Sequence, residues 1–469
     1  MRRRQTTVPG THATTPAPSR RTRPRPGTPA RAARPSGVRA ARRRDRRVYS
    51  HAHPLLFALL AAARRRPVVR LGRTVLVHDA DAYRHALTRL PLDRTAAGTT
   101  GGAVRAHAGE GALFDQEGNG HRGTRRTLAD DLGSAGVERL RPVWQRVIAR
   151  HLAPLATGGE TDLATLAHEL AGATVCALLG VAAAPGALAR AAAEAAAATV
   201  RDHLPGPRRP GAARAAARAT ARLETLLAQD RALPGPPGTA GSGRCAADPS
   251  EPHGRTGDGL RAMVAVAAVT TTVAALPRAA AWCADAGLWE QAGDRRTRDA
   301  LVGELLRVTA PSPLLPRVAA APGTLGGRPV RGGDRLVLVA RHAVRAHRDA
   351  PCGAAPAPAA VAHLVFGAGP HACPGARLAR AQLADLLAAL APYRPAVVRA
   401  RTDRRAALPA WRTLTVRADP RTGTTPGGRR GTVPEGRRGT ASQYAPGPPG
   451  HGWGPPSEHR TTRLTGEEP

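Results

Sequence analysis

The chain has no lysine. All 70 of its basic side chains are arginine, Ile148 is the only isoleucine, and aromatics make up 3% of 469 residues. So few aromatics leave few platforms on which single-stranded bases could stack. A nucleic-acid partner would therefore rest on charge alone. That charge is high, at +36, but uneven. Residues 1–47 carry +14, residues 418–469 carry +2, and the middle keeps +20. The dominance of Ala, Arg, Gly and Pro fits codon bias in a GC-rich genome, which discounts part of the charge as a functional signal.

Cysteine is scarce as well. Five residues (Cys176, Cys245, Cys283, Cys352, Cys373) are odd in number and scattered. That argues against a disulfide framework and for a reducing compartment, the cytoplasm. No apolar run reaches the roughly 20 residues of a membrane span. The longest early one, Pro54 to Ala63, is half that, and an Arg/Pro/Thr-rich stretch precedes it where a signal peptide would need its apolar core.

Residues 1–48 offer almost nothing to bury and are expected to be a disordered basic extension; 418–469 are expected to be a disordered tail. Between them, 49–417 reads as one mainly helical domain with a small β portion. Val68 to Val77 reads as a hairpin and Asp79 to Leu90 as a helix. Residues 91–112 read as a loop. Four helical periods follow, over 137–155, 161–179, 187–200 and 211–228, before a Pro/Gly/Ser-rich loop at 233–259. Gly259 to Asp285 is apolar on nearly all sides, as a helix through the centre of a large fold would be, with Pro277 predicting a kink. Leu336 to Val339 and the Gly-Gly pairs around it predict a small sheet, and Val397 to Val416 a closing hairpin.

The most informative stretch is His363 to Arg380, HLVFGAGPHACPGARLAR. Cys373 lies at a loop-to-helix junction, where free N–H groups favour a thiolate. Gly367 and Gly369 permit positive φ, Gly375 leaves room beside the cysteine, and Phe366 offers a ring to shield sulfur. The spacing Phe-Gly-x-Gly-x-His-x-Cys-x-Gly fixes six positions in ten.

This stretch resembles the cysteine-ligand loop of the cytochrome P-450 family, in which the thiolate binds haem iron. The resemblance implies the cytochrome P-450 fold, one haem b held by Cys373, and a soluble bacterial monooxygenase fed by a ferredoxin and a ferredoxin reductase. Other residues match the family in order. His121 and Arg125, four apart on one helix face, match its propionate clamp. Arg317 and His371 match further propionate partners, so four donors would face two carboxylates. Glu304 and Arg307 match its E-x-x-R ion pair, which in the family joins a downstream arginine. The central-helix motif Ala-Gly-x-acid-Thr-Thr aligns with Ala267 to Thr272, which makes Thr271 the catalytic hydroxyl. Ala268 and Thr270 then replace the glycine and the acid. A hydroxyl relays protons but does not supply them as a carboxylic acid does. That loss points to an alternative: a haem protein of atypical chemistry, coupling or rearrangement, or an accessory subunit. Residues 350–362 are short and lack the family's phenylalanine. Arg122, Arg126, Arg377 and Arg380 predict a positive face for an acidic electron donor.

Overall fold

A computed structural model describes residues 35–102, 105, 113–203, 210–229 and 253–420. The chain opens with α1 (Pro35–Ala52) and the apolar α2 (Pro54–Ala63). The expected hairpin is β1 (Val68–Leu71) and β2 (Thr74–Val77), paired Val68 to Val77. Helix α3 (Ala80–Thr88) starts at Asp79, whose carboxylate accepts from the N–H groups of Asp81 and Ala82. A cap of this kind contributes about 1 kcal/mol. A two-residue strand, β3 (Leu92–Asp93), follows.

Four long helices come next: α4 (Gly118–Leu132), α5 (Ser134–Ala156), α6 (Leu163–Leu179) after strand β4 (Glu160–Asp162), and α7 (Pro185–His203). Helix α8 (Ala212–Leu227) packs on α7, and the central α9 (His253–Ala286) packs on α6, α7 and α1. Leu166, Leu170, Val175, Ala265, Val269, Ala274 and Trp144 are all buried in this helical core. Each large apolar side chain so buried contributes roughly 1.5–3 kcal/mol. Helix α9 runs unbroken through Pro277, where a kink or turn was expected. It passes the length and hydropathy test for a membrane span, but just over half of its apolar window is buried in the protein, as a core helix requires.

The short α10 (Trp289–Gly293) leads to α11 (Arg295–Thr309), capped by Asp294. Strands β5 (Leu315–Ala319), β6 (Gly323–Leu325), β7 (Arg328–Val330) and β8 (Arg335–Leu338) follow. The main sheet runs β1-β2-β8-β5-β3, with β8 parallel to β2, and β6 pairs with β7. Two single-turn helices, α12 (Ala340–Ala343) and α13 (Ala359–Ala362), precede the cysteine loop. Helix α14 (Ala376–Leu390) leaves it, and β9 (Ala396–Asp403) and β10 (Ala410–Arg417) form the closing hairpin, joined by β4.

The N-terminal boundary is earlier than expected. Residues 35–48 are helical, and Asp45, the one acid in that basic stretch, is buried. Its Oδ1 accepts from Arg278 Nε at 2.9 Å and Nη2 at 2.7 Å, and its Oδ2 from Arg341 at 3.2 Å. Tyr49 lies under both guanidinium groups. Charge counting along the sequence misses this, because Arg278 stands far away in an apolar helix and only the fold brings the pair together. Residues 1–34 and 421–469 lie outside the described residues.

Candidate functional site

The cysteine loop is held by its own backbone. Gly367 and Gly369 both take positive φ, as expected of glycines in this turn. The Cys373 N–H then donates to the Phe366 carbonyl at 2.8 Å, and the Ala372 N–H to Gly369 at 3.1 Å. From α4, Arg125 Nη1 donates to the Ala372 carbonyl at 2.6 Å. This ties the expected basic helix to the loop, 247 residues apart. The Phe366 ring faces Arg380, whose guanidinium lies 5.5 Å from its centroid.

Cys373 is exposed, so its sulfur is accessible to a ligand. Burial pushes its thiol up, while the Gly375 N–H bonded to it and the charge of Arg125 pull the other way. A Cβ at Gly375 would meet only this sulfur, at 3.9 Å. The room left by Gly375 is therefore beside the thiol.

Four expected propionate partners come together, with a fifth residue that the sequence did not reveal. His121 is buried and its ring stacks on His371, with centroids 3.8 Å apart. Arg317 on β5 and Arg94 after β3 complete the group. Burial and the charges of Arg94, His121, Arg317 and Arg125 push His371 down to about 3. Burial also lowers His121, aided by Arg125 and Arg94. Arg317 is pushed down to about 10 by burial and by Arg94. Its Nε and the His121 Nε2 are buried without hydrogen-bond partners. Among the described residues Glu117 is the acid that approaches the cluster, 3.1 Å from Arg94 Nε, and it is largely exposed. Cations gathered at a half-buried place with an orphaned Arg317 Nε and little counter-charge are costly, so the chemistry of this donor set suits an anion from outside. The two carboxylates of haem b meet that need, and the exposed sulfur of Cys373 meets the need for an iron ligand. The residues fit the group.

Arg94 lay in a stretch expected to be unpatterned loop. The signal that could have marked it is the Asp-x-Thr turn around it. Asp93 Oδ1 accepts from the N–H groups of Thr95 and Ala96, both at 2.9 Å, and fixes the backbone there.

Glu304 and Arg307 form the expected ion pair, Nε to Oε1 at 2.8 Å and Nη2 to Oε2 at 2.6 Å, both side chains fully buried. The downstream arginine is not its third member. Backbone takes that place: Arg307 also donates to the carbonyls of Val344, Arg345 and Asp349, and the Ala357 N–H donates to Glu304. The short 350–362 segment is thus pinned by the pair itself.

On α9, Val266, Ala267, Ala268, Thr270, Thr271 and Thr272 are half-buried in an otherwise buried stretch. Thr271, expected to present its hydroxyl for catalysis, donates it to the Ala267 carbonyl at 2.7 Å, and Thr270 bonds Val266 in the same way. Helix carbonyls one turn back are the nearest acceptors in an apolar setting. Arg122, Arg126 and Arg377 are exposed, and Arg380 is half-buried with its guanidinium over Phe366.

No family model and no curated protein matches the sequence. Solved structures do match by shape. CYP109E1 from Bacillus megaterium, solved with testosterone, is 17% identical, with 79% of this chain and 99% of that one covered and a TM-score of 0.59. CYP164A2 from Mycobacterium smegmatis is 21% identical, with 80% and 99% covered and a TM-score of 0.59. A mutant of EryK, solved with erythromycin B, is 20% identical, with 78% and 96% covered and a TM-score of 0.57. All three are cytochromes P-450 of bacterial type, and from α1 to β10 this chain has the cytochrome P-450 fold.

Proposed function

We propose that this chain is a haem-thiolate monooxygenase that inserts one atom of O2 into a small apolar organic molecule, in secondary metabolism. The observation that carries the reading is the accessible sulfur of Cys373, joined by Arg125 to a half-buried cluster of arginines and imidazoles that, among the described residues, only the exposed Glu117 approaches. Haem b bound there supplies an iron that binds oxygen and exchanges electrons. Cys373 ligates it, and the Gly375 N–H holds negative charge on the sulfur. Arg125, Arg317, His121 and His371 take the propionate carboxylates, with Arg94 behind them. Glu304 and Arg307 hold the preceding coil in place.

The half-buried face of α9 presents Val266, Ala267 and Ala268, a surface suited to apolar molecules of the kind the structural neighbours were solved with, a steroid and a macrolide. Electrons come from a ferredoxin and its reductase. Arg122, Arg126 and Arg377 would steer such an acidic donor, so reduction should slow as salt rises.

The absorption spectrum of the reduced, CO-bound protein tests the reading. Its Soret band should stand at the thiolate position and be lost in Cys373→Ala; a variant with an unchanged spectrum overturns the assignment.

One observation favours a second reading. The hydroxyl protons of Thr270 and Thr271 are spent on helix carbonyls, and no carboxylate stands at position 270. A haem protein that couples or rearranges its substrate, or serves a partner enzyme, would need no proton delivery there. Turnover under ¹⁸O₂ separates the two: label in the product supports the monooxygenase, and turnover without label supports the alternative.

A further inference from the structure

A second concentration of positive charge lies away from the thiolate loop. Arg44, Arg47 and His51 on α1 face Ala400, Arg401 and Thr402 on β9, Arg404 after it, and Trp411 on β10, around a cavity of about 480 Å³. None of these residues belongs to the site described above. Arg44 is committed to Asp285, Nε to Oδ2 at 2.6 Å and Nη2 to Oδ1 at 3.0 Å. Arg47, Arg401 and Arg404 have no acidic partner among the described residues, and all three are exposed. His51 Nδ1 lies 2.9 Å from Thr402 Oγ1, which holds its ring on the cavity rim. The nearby carboxylate of Asp403 accepts the Arg405 backbone N–H and is not among the lining groups. Trp411, in the wall, carries an indole N–H with no partner in the protein.

Like charges held together without counter-charge repel, and the cavity keeps them within one ligand's reach. A guanidinium presents a planar fork that matches phosphate oxygens two at a time. Three free forks and an imidazole around one cavity exceed what a single phosphate engages and suit a chain of two or three. Among the described residues lining the cavity, the large aromatic ring is Trp411, and it is buried, which does not suit a run of stacked bases. The anchoring is firm, because α1 is clamped to α9 by the buried Asp45–Arg278 pair.

We propose that this cavity is a binding site for a polyphosphate anion. The phosphates could belong to a nucleoside triphosphate or to inorganic polyphosphate, and the site reads the part they share.

The test is calorimetric titration of the full-length protein with sodium triphosphate and, separately, with ATP, near physiological salt. One site per chain is expected. Arg401→Ser/Arg404→Ser should weaken it about tenfold or more, since two charge-assisted contacts are removed. Arg295→Ser/Arg328→Ser, which removes two exposed arginines elsewhere, corrects for total charge and should leave affinity unchanged. All four positions are exposed, so folding is not at stake, and unchanged melting curves verify that. ATP binding markedly tighter than triphosphate assigns the site to a nucleotide; equal affinity assigns it to the phosphate chain alone. No binding, or equal loss in the two double variants, overturns the proposal.

Discussion

Two arginine-centred clusters in this protein, one buried and one half-buried, are left in opposite states. Around Asp45, the guanidinium groups of Arg278 and Arg341 share one carboxylate and the face of Tyr49, and the charge is settled within the chain. Around Arg317, Arg94, Arg125 and two imidazoles meet, only the exposed Glu117 approaches them among the described residues, and orphaned nitrogens remain. The first cluster is complete as folded and ties α1 to the core. The second is complete only with an anion from outside. A protein that carries a cluster of the second kind bears its cost for a ligand.

The largest effect is expected where a settled pair is broken. Arg278→Met leaves Asp45 buried with only its longer contact to Arg341, which should destabilise the fold by about 3 kcal/mol in a urea titration. A loss well under 1 kcal/mol would mean that Asp45 escapes to water, and the contrast between the clusters would fail.

The unsettled cluster should respond in the opposite sense. Arg317→Leu removes an uncompensated cation, so the haem-free protein should be as stable as the parent or more so. Haem should nonetheless leave the variant about tenfold faster, measured by transfer to apomyoglobin, because one charge-assisted contact to a carboxylate is gone. Lower stability with unchanged haem release would assign Arg317 to the scaffold instead.

A third group sharpens the comparison with a smaller effect. His78 and His342 face each other, Nδ1 to Nδ1 at 2.9 Å, and the His347 ring lies 5.1 Å from His342. Burial lowers all three, His342 to about 3 and His78 and His347 to about 4, with Arg64, Arg341 and Arg348 adding to it and Asp349 opposing it at His347. The unfolded chain therefore binds more protons below its ordinary histidine value, near 6.5. Stability from this group is intact above about pH 6.5 and falls as the pH drops toward 4. The urea midpoint should decline from pH 7 to pH 5, and less steeply in His342→Gln. An equal decline in both would show that these rings are charged or hydrated in the folded protein.

The parts of the site legible in the sequence are those whose chemistry is local. The Cys373 loop needs its glycines at particular backbone angles within ten residues, and both Gly367 and Gly369 adopt them. His121 and Arg125, like Glu304 and Arg307, lie one helical turn apart, so spacing alone places each pair on one face. Arg94 was legible only as a residue in a turn fixed by Asp93; that β3 carries it to a cluster built from α4, β5 and the cysteine loop depends on contacts far along the chain. The hydrogen bond of Thr271 to Ala267 was equally open, because a buried threonine chooses between its own helix and a neighbour only once the neighbours are present.

By itself, then, the sequence determined the thiolate loop, the helical periods, the hairpins and the ion pair one turn long, all of which depend on contacts within a few residues. The tertiary structure alone decided where folding starts, because Asp45 finds Arg278 across 233 residues. It also decided that Arg380 covers Phe366 and that five arginine or histidine side chains share one half-buried place that, among the described residues, only the exposed Glu117 approaches. Burial and counter-charge are properties of the assembled volume, and no local pattern in a chain rich in arginine distinguishes the arginine that will be paired from the one left waiting for a ligand.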